Sequence, residues 1–235
     1  MRYLCSLVLF LSCAAVSQAS VVVPNSLANT EGNANNNFPF DSIDPMRYQQ
    51  VYAADQFPGA GLIDSIAFRP DGPLGEMFSL SIANIEIDLS TTQAAPDALS
   101  DTFADNVGPD NTVVYSGPLT LSSANTGPAG GPKDFDIVIN FMTPFFYNPG
   151  NGNLLLDVKN NSGTPSGLAG GFDSEFDFGD SVSRVHGDIG SPTASVNDTE
   201  GLVTEFSVVP EPGTLALLFI GSLLVFIAWR LRVRT

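Results

Sequence analysis

Four acids near the C-terminal third of the chain are spaced for chemistry: Asp173, Glu175, Asp177 and Asp180, within Gly171-Phe172-Asp173-Ser174-Glu175-Phe176-Asp177-Phe178-Gly179-Asp180. The first three alternate, so on a strand they would share one face. A pair of carboxylates could hydrolyse a glycosidic bond, one as acid and one as base or nucleophile. Oxygen ligands at this density suit a hard cation better, because Ca²⁺ takes six to eight of them. The glycines flanking the segment would let it bend around an ion, although the spacing is not that of an EF-hand. We therefore expect Ca²⁺ as the only candidate cofactor, on those four acids.

Other chemistries have less to work with. His186 is the only histidine, and no Gly-x-Ser-x-Gly elbow accompanies it, so serine-type catalysis lacks its base and its nucleophile turn. Zinc lacks a ligand set: beyond that histidine, the two cysteines, Cys5 and Cys13, lie at the extreme N-terminus. No catalytic residue is assigned. Sugar binding has aromatic candidates in Phe145, Phe146 and Tyr147, just ahead of a turn at Asn148-Pro149-Gly150, with Tyr48 and Tyr52 as further ones. Core packing is the competing fate of those rings.

Charge narrows the partners. Residues 20–208 hold 24 Asp and Glu against Arg47, Arg69, Lys133, Lys159 and Arg184, a balance of −19. Such a surface repels phosphate backbones, which argues against nucleic acid. The acids are scattered rather than blocked, as on a solvated face.

The ends carry the most specific pattern. One positive charge at Arg2 precedes the apolar run Leu4–Leu11, and small residues close with Ser17-Gln18-Ala19 before Ser20. That layout is a secretory signal peptide over residues 1–19, cleaved between Ala19 and Ser20. The rival reading, a lipoprotein cysteine at Cys13, has Phe10 at a position the lipobox disfavours. The mature protein would then carry no thiol and no disulfide.

At the other end, Val209-Pro210-Glu211-Pro212 leads into an uncharged stretch and then Arg230, Arg232 and Arg234. Residues 213–229 as a helix would measure about 25 Å, short of the roughly 30 Å hydrocarbon core by an amount that snorkelling arginines cover. The basic tail, 230–235, would stay in the cytoplasm and the bulk of the chain outside. Two prolines around one carboxylate interrupt any helix and give an extended segment at the membrane surface. These three parts, in this order over residues 209–235, resemble the PEP-CTERM sorting signal of Gram-negative bacteria. The resemblance implies an exosortase-type processing enzyme as partner, removal of the tail, and delivery to the cell surface or the exopolysaccharide matrix of a biofilm.

The elements between the ends read as strands. Phe135, Ile137, Ile139 and Phe141 alternate on one face; Leu154, Leu156 and Val158 do the same, as do Leu202, Thr204, Phe206 and Val208. Leu62, Ile66 and Phe68 suggest another strand, with Asp64 as a flaw. From Phe78 to Leu89 the alternation changes phase, and one bulge near Ala83-Asn84 would restore a single buried face. Val113–Leu121, Val182–Val185 and the stretch from Arg47 complete the set, separated by Pro and Gly clusters that build turns. Residues 25–44 and 187–201 read as loops. The 189 residues of 20–208 suffice for one core. The expectation is an all-β, antiparallel β-sandwich of jelly-roll type. Its function would be that of a non-catalytic glycan-binding or structural module, with a secreted β-sandwich hydrolase as the alternative.

Overall fold

A computed structural model of the chain describes residues 18–129, 131–164 and 171–210. The expected signal peptide up to residue 17, the apolar span and the basic tail lie outside the described residues. Among the described residues no helix is long and apolar enough to cross a membrane.

Two antiparallel sheets face each other across one core. The first contains β1 (Ala19–Val23), β13 (Thr204–Pro210), β4 (Gly61–Phe68) and β7 (Ile137–Tyr147), hydrogen-bonded in that order. The second contains β11 (Val196–Asp198), β10 (Val182–Asp188), β3 (Met46–Tyr52), β8 (Asn153–Asn160), β5 (Phe78–Thr92) and β6 (Thr112–Ser123), also in that order. A small third sheet joins β12 (Glu200–Leu202), β9 (Phe172–Phe176) and β2 (Ala34–Asn36). Its β2 and most of β12 come from segments that read as loops in the sequence.

Period-two burial explains which strands form where. Ile63, Ile66, Ile139 and Phe206 from the first sheet meet Ile82, Ile87, Leu154 and Leu156 from the second. Each fully buried aliphatic or aromatic side chain contributes about 1.5–3 kcal/mol. Tyr52 meets Phe206 edge-on across the sheets at 4.9 Å, and its hydroxyl bonds Thr204 at 2.8 Å. Phe40, Phe68, Phe78 and Phe172 close the end of the core beneath the third sheet. On the far side of the six-stranded sheet, Val51, Leu155 and Val185 pack against Leu99 and Phe103 of the β5–β6 connection.

The expected bulge in β5 is present: pairing with β6 shifts between Ile82 and Ile85, so Phe78, Leu80, Ile82, Ile85, Ile87 and Leu89 are all buried. A second bulge corrects the reading of β4. The ladder shifts at Asp64, which turns Ile63 inward and leaves Leu62 outside, 43% exposed. The domain also runs two residues beyond the expected boundary at Val208, because Val209 and Pro210 complete β13 opposite Leu62 and Gly61.

Candidate functional site

The carboxylates that converge are not the four the sequence suggested. Oxygens of Glu31, Asp71 and Asp173 lie within 4.8 Å of one another. Arg69 organises them. It stands at the end of β4, fully buried, and donates through Nε to Asp173 Oδ2 at 2.7 Å. Its Nη2 lies 2.6 Å from the same oxygen and donates to the carbonyls of Thr30 at 2.6 Å and Leu27 at 3.1 Å. The guanidinium sits over the Phe135 ring, 4.9 Å from its centre. Gly32 N–H supplies Asp173 Oδ1 at 2.9 Å. Leu74 N–H bonds Asp71 Oδ1 at 2.7 Å, and Gly72 N–H bonds Glu31 Oε1. Among the described residues, Glu31 Oε2 is buried without a hydrogen-bond partner.

Glycine is required at the turn that delivers Glu31. A Cβ on Gly32 would lie 2.2 Å from the carbonyl oxygen of Ser174. Burial pushes the Asp173 carboxyl up to about 7, against the pull of Arg69, and burial also raises Asp71. Three carboxylates against one guanidinium leave the cluster negative. Glu31 and Asp71 are the oxygens through which it could meet a hard cation, because both oxygens of Asp173 are already engaged.

Of the expected set Asp173, Glu175, Asp177 and Asp180, Asp173 joins Glu31 and Asp71, while Glu175 and Asp177 stand near Asp180. Asp173 is sealed under Arg69, and Glu175 accepts from the Asn33 backbone at 3.0 Å and its side chain at 3.2 Å. Asp177 is exposed beyond the end of β9. Asp180 takes the Val182 N–H at 2.8 Å, and burial, with Asp97, Glu175 and Asp177 adding repulsion, pushes it up to about 7. The aromatic candidates divide as strand parity demands. Phe145 and Tyr147 point into the core, as do Tyr48 and Tyr52, so none of these offers a face to a sugar. Phe146 is the exception, 45% exposed on the outer face. His186 is wedged between Phe38, at 5.0 Å, and Tyr48, and burial with Arg184 nearby holds it down at about 4.

Sequence reasoning missed Arg69, Glu31 and Asp71. The available signal was a cation, one of five in the domain, placed directly after the apolar run Ile66-Ala67-Phe68. A charge continuing a buried strand needs a buried partner. Phe135 was misread too. It precedes β7 and roofs Arg69 instead of entering the core.

The outer face of the four-stranded sheet carries a cleft of about 570 Å³, with neighbouring clefts of about 450 and 430 Å³; Phe135 and Glu205 line all three. Register arranges this face in rows. Val22, Glu205, Ala67 and Val138 form one; Ser20, Ser207, Ser65 and Asn140 form the next; Val209, Leu62 and Phe146 form the last. Ser20 donates to Glu205, and Gln18 reaches both oxygens of Asp64 at 3.0 Å. The middle row is thus entirely polar and the last entirely apolar.

That last row ends where the described chain ends. Val209 and Pro210 are the final residues of β13, one strand away from Ala19 and Ser20, the expected cleavage junction in β1, where Ala19 pairs with Val208. Residues 208–233 match the family model of the PEP-CTERM protein-sorting motif. The chain carries a PEP-CTERM sorting signal. Comparison with curated proteins gives no match. The PEP-CTERM motif supports a sorted, exported protein, and such motifs in general imply a membrane-anchored precursor and exosortase-type processing. Val209 and Pro210 of that signal are strand residues, while Glu211, Pro212, Arg230, Arg232 and Arg234 lie outside the described residues.

Proposed function

We propose that the protein is delivered to the cell surface or the exopolysaccharide matrix, where its β-domain serves as a non-catalytic module that holds glycan. The strand orders β1-β13-β4-β7 and, within the six-stranded sheet, β3-β8-β5-β6 support a jelly roll, in which two four-stranded sheets are woven from paired Greek keys, with β10 and β11 added at one edge.

The observation that carries the glycan reading is the cleft of about 450 Å³ on the outer face of the first sheet. Its floor of Ser20, Ser65, Ser207 and Asn140 offers hydroxyls and an amide, with Glu205 beside them and Phe135 at its rim. Sugars present hydroxyls in the ring plane and C–H groups on the ring face, so a polar floor beneath an aromatic edge matches them. The cleft is open rather than enclosing, which suits a polymer passing over the surface.

Incubation with a panel of bacterial exopolysaccharides tests this. Retention without release of reducing ends, lost on Asn140→Ala with Phe135→Ala, is the expected result. Release of reducing ends would make the protein a hydrolase instead. Sorting is tested separately by replacing Pro210 and Glu211 with Ala and Gln. The apolar segment and its arginines are untouched, so insertion should persist while tail removal fails, seen by mass as retention of residues through Thr235. A double variant that matures as wild type does would leave the triplet as a mere spacer.

A further inference from the structure

Among the described residues, no element covers the apolar row at the end of the four-stranded sheet. Leu62 and Phe146 are 43% and 45% exposed, and they stand side by side across the β4–β7 ladder, with Val209 paired to Leu62 on the other side. Strands are about 4.8 Å apart, so the three side chains form a continuous strip about 10 Å wide. Such a strip is exposed at an energetic disadvantage unless something apolar meets it.

The chain itself says what is within reach. Val209 belongs to the strip, and the uncharged stretch of the sorting signal begins at Gly213, three residues after Pro210. Three extended residues span at most about 11 Å. Since the PEP-CTERM precursor is held in a membrane by the segment that follows, the strip cannot stand far from the lipid surface. The next row, Ser20, Ser207, Ser65 and Asn140, is polar. An apolar margin bordered by hydroxyls and an amide is graded as the boundary between acyl chains and headgroups is graded.

We infer that Leu62, Phe146 and Val209 rest in the headgroup–acyl boundary while the precursor is anchored, setting the tilt of the domain on the membrane. The contact places the polar cleft above the headgroups. Removal of the tail releases the strip from the surface together with the domain.

Val138 provides an internal control. It lies on the same face and is equally exposed, at 45%, but opposite Ala67 rather than Leu62, which puts it about 15 Å further along the strands at about 3.3 Å per residue. The experiment uses the full-length precursor with Cys5→Ser and Cys13→Ser, carrying a single cysteine as Phe146→Cys or Val138→Cys. Each is labelled with an environment-sensitive fluorophore and reconstituted in vesicles of phosphatidylethanolamine and phosphatidylglycerol containing a headgroup nitroxide lipid. The label at 146 should shift to the blue and be quenched by the nitroxide several-fold more than the label at 138, and Leu62→Glu should reverse both changes. Equal quenching at the two positions would overturn the inference. So would a blue shift at 146 that lacks nitroxide quenching and disappears at one chain per vesicle, since a second copy would then be the occupant.

Discussion

Replacing Arg69 by Met removes the one positive charge from a buried acidic site and should be among the most damaging single changes in the domain. Arg69 and Asp173 have side chains 1% and 0% exposed. The substitution keeps an aliphatic stem but removes the guanidinium from over the Phe135 ring. It deletes the ion pair and the two bonds to the carbonyls of Leu27 and Thr30. Removing one partner of a buried pair costs about 3–5 kcal/mol, because the other charge is left without compensation. A large share of a typical domain stability of about 5–15 kcal/mol would be lost.

Asp173 can relieve part of that by taking a proton, and the relief has a pH signature. Asp173 already titrates near 7 in the folded protein, with Arg69 pulling it down; without Arg69 it moves higher. Below about pH 7 both proteins hold the proton, and the difference between them is flat. Above it the wild type ionises while the variant keeps its proton, so the deficit should grow by about 1.4 kcal/mol per pH unit. Urea unfolding of the mature protein and the variant at pH 6 and pH 8.5, followed by circular dichroism, measures both quantities. Adding Asp173→Asn to Arg69→Met should abolish the growth with pH. A loss under about 1 kcal/mol, or a loss identical at the two pH values, would refute a buried ionic role for this pair.

Wild-type stability should itself fall as pH rises through neutrality. Asp173 and Asp180 are both raised to about 7, so the folded state binds more protons than the unfolded state from about pH 4 up to 7, and stability declines across that range. His186, lowered to about 4, acts oppositely below 6.5; the decline is therefore cleanest between about pH 6.5 and 7.5, and Asp180→Asn should reduce its slope in thermal melts. Gly32→Ala should lower the melting temperature well beyond what an exposed turn glycine would, because the new methyl collides with the Ser174 backbone; an unchanged melt would show that the turn can shift. Thiol reductants should leave the melting temperature of the mature protein where it was, since Cys5 and Cys13 both precede Ala19.

Strand periodicity made most of the two large sheets legible. The phase change in β5 could be read as a bulge because apolar residues stand on both sides of Ala83-Asn84 and only one face can be buried. In β4 the same logic was available and gave the wrong residue. Leu62 and Ile63 are both apolar, and nothing local decides which one precedes the bulge at Asp64. The third sheet was invisible for a different reason. Its strands are three to five residues long and rich in Asn, Asp, Ser and Glu, so their pairing comes from tertiary packing rather than from pattern. For the acids, alternation places residues on one face without saying what faces them, so the removal of Asp173 to Arg69 was not legible. Opposite Asp173 stands a cation distant in sequence by 104 residues. Parity divided the aromatic candidates: in Phe145-Phe146-Tyr147 two of three adjacent rings must share a face, and burial chose the outer two.

The tail of this protein leaves from an interior strand. β13 is bonded to β1 along five residue pairs and to β4 along seven, with Pro210 the last of them. A pull on the anchor, whether from a processing enzyme drawing in its substrate or from a sheared matrix, acts along the strand and loads both ladders at once. Hydrogen bonds strained in parallel yield together, whereas those of an edge strand peeled from its end yield one after another. The domain is thus tethered in shear, and traction on the tail is resisted by both neighbouring ladders before any of the core is exposed.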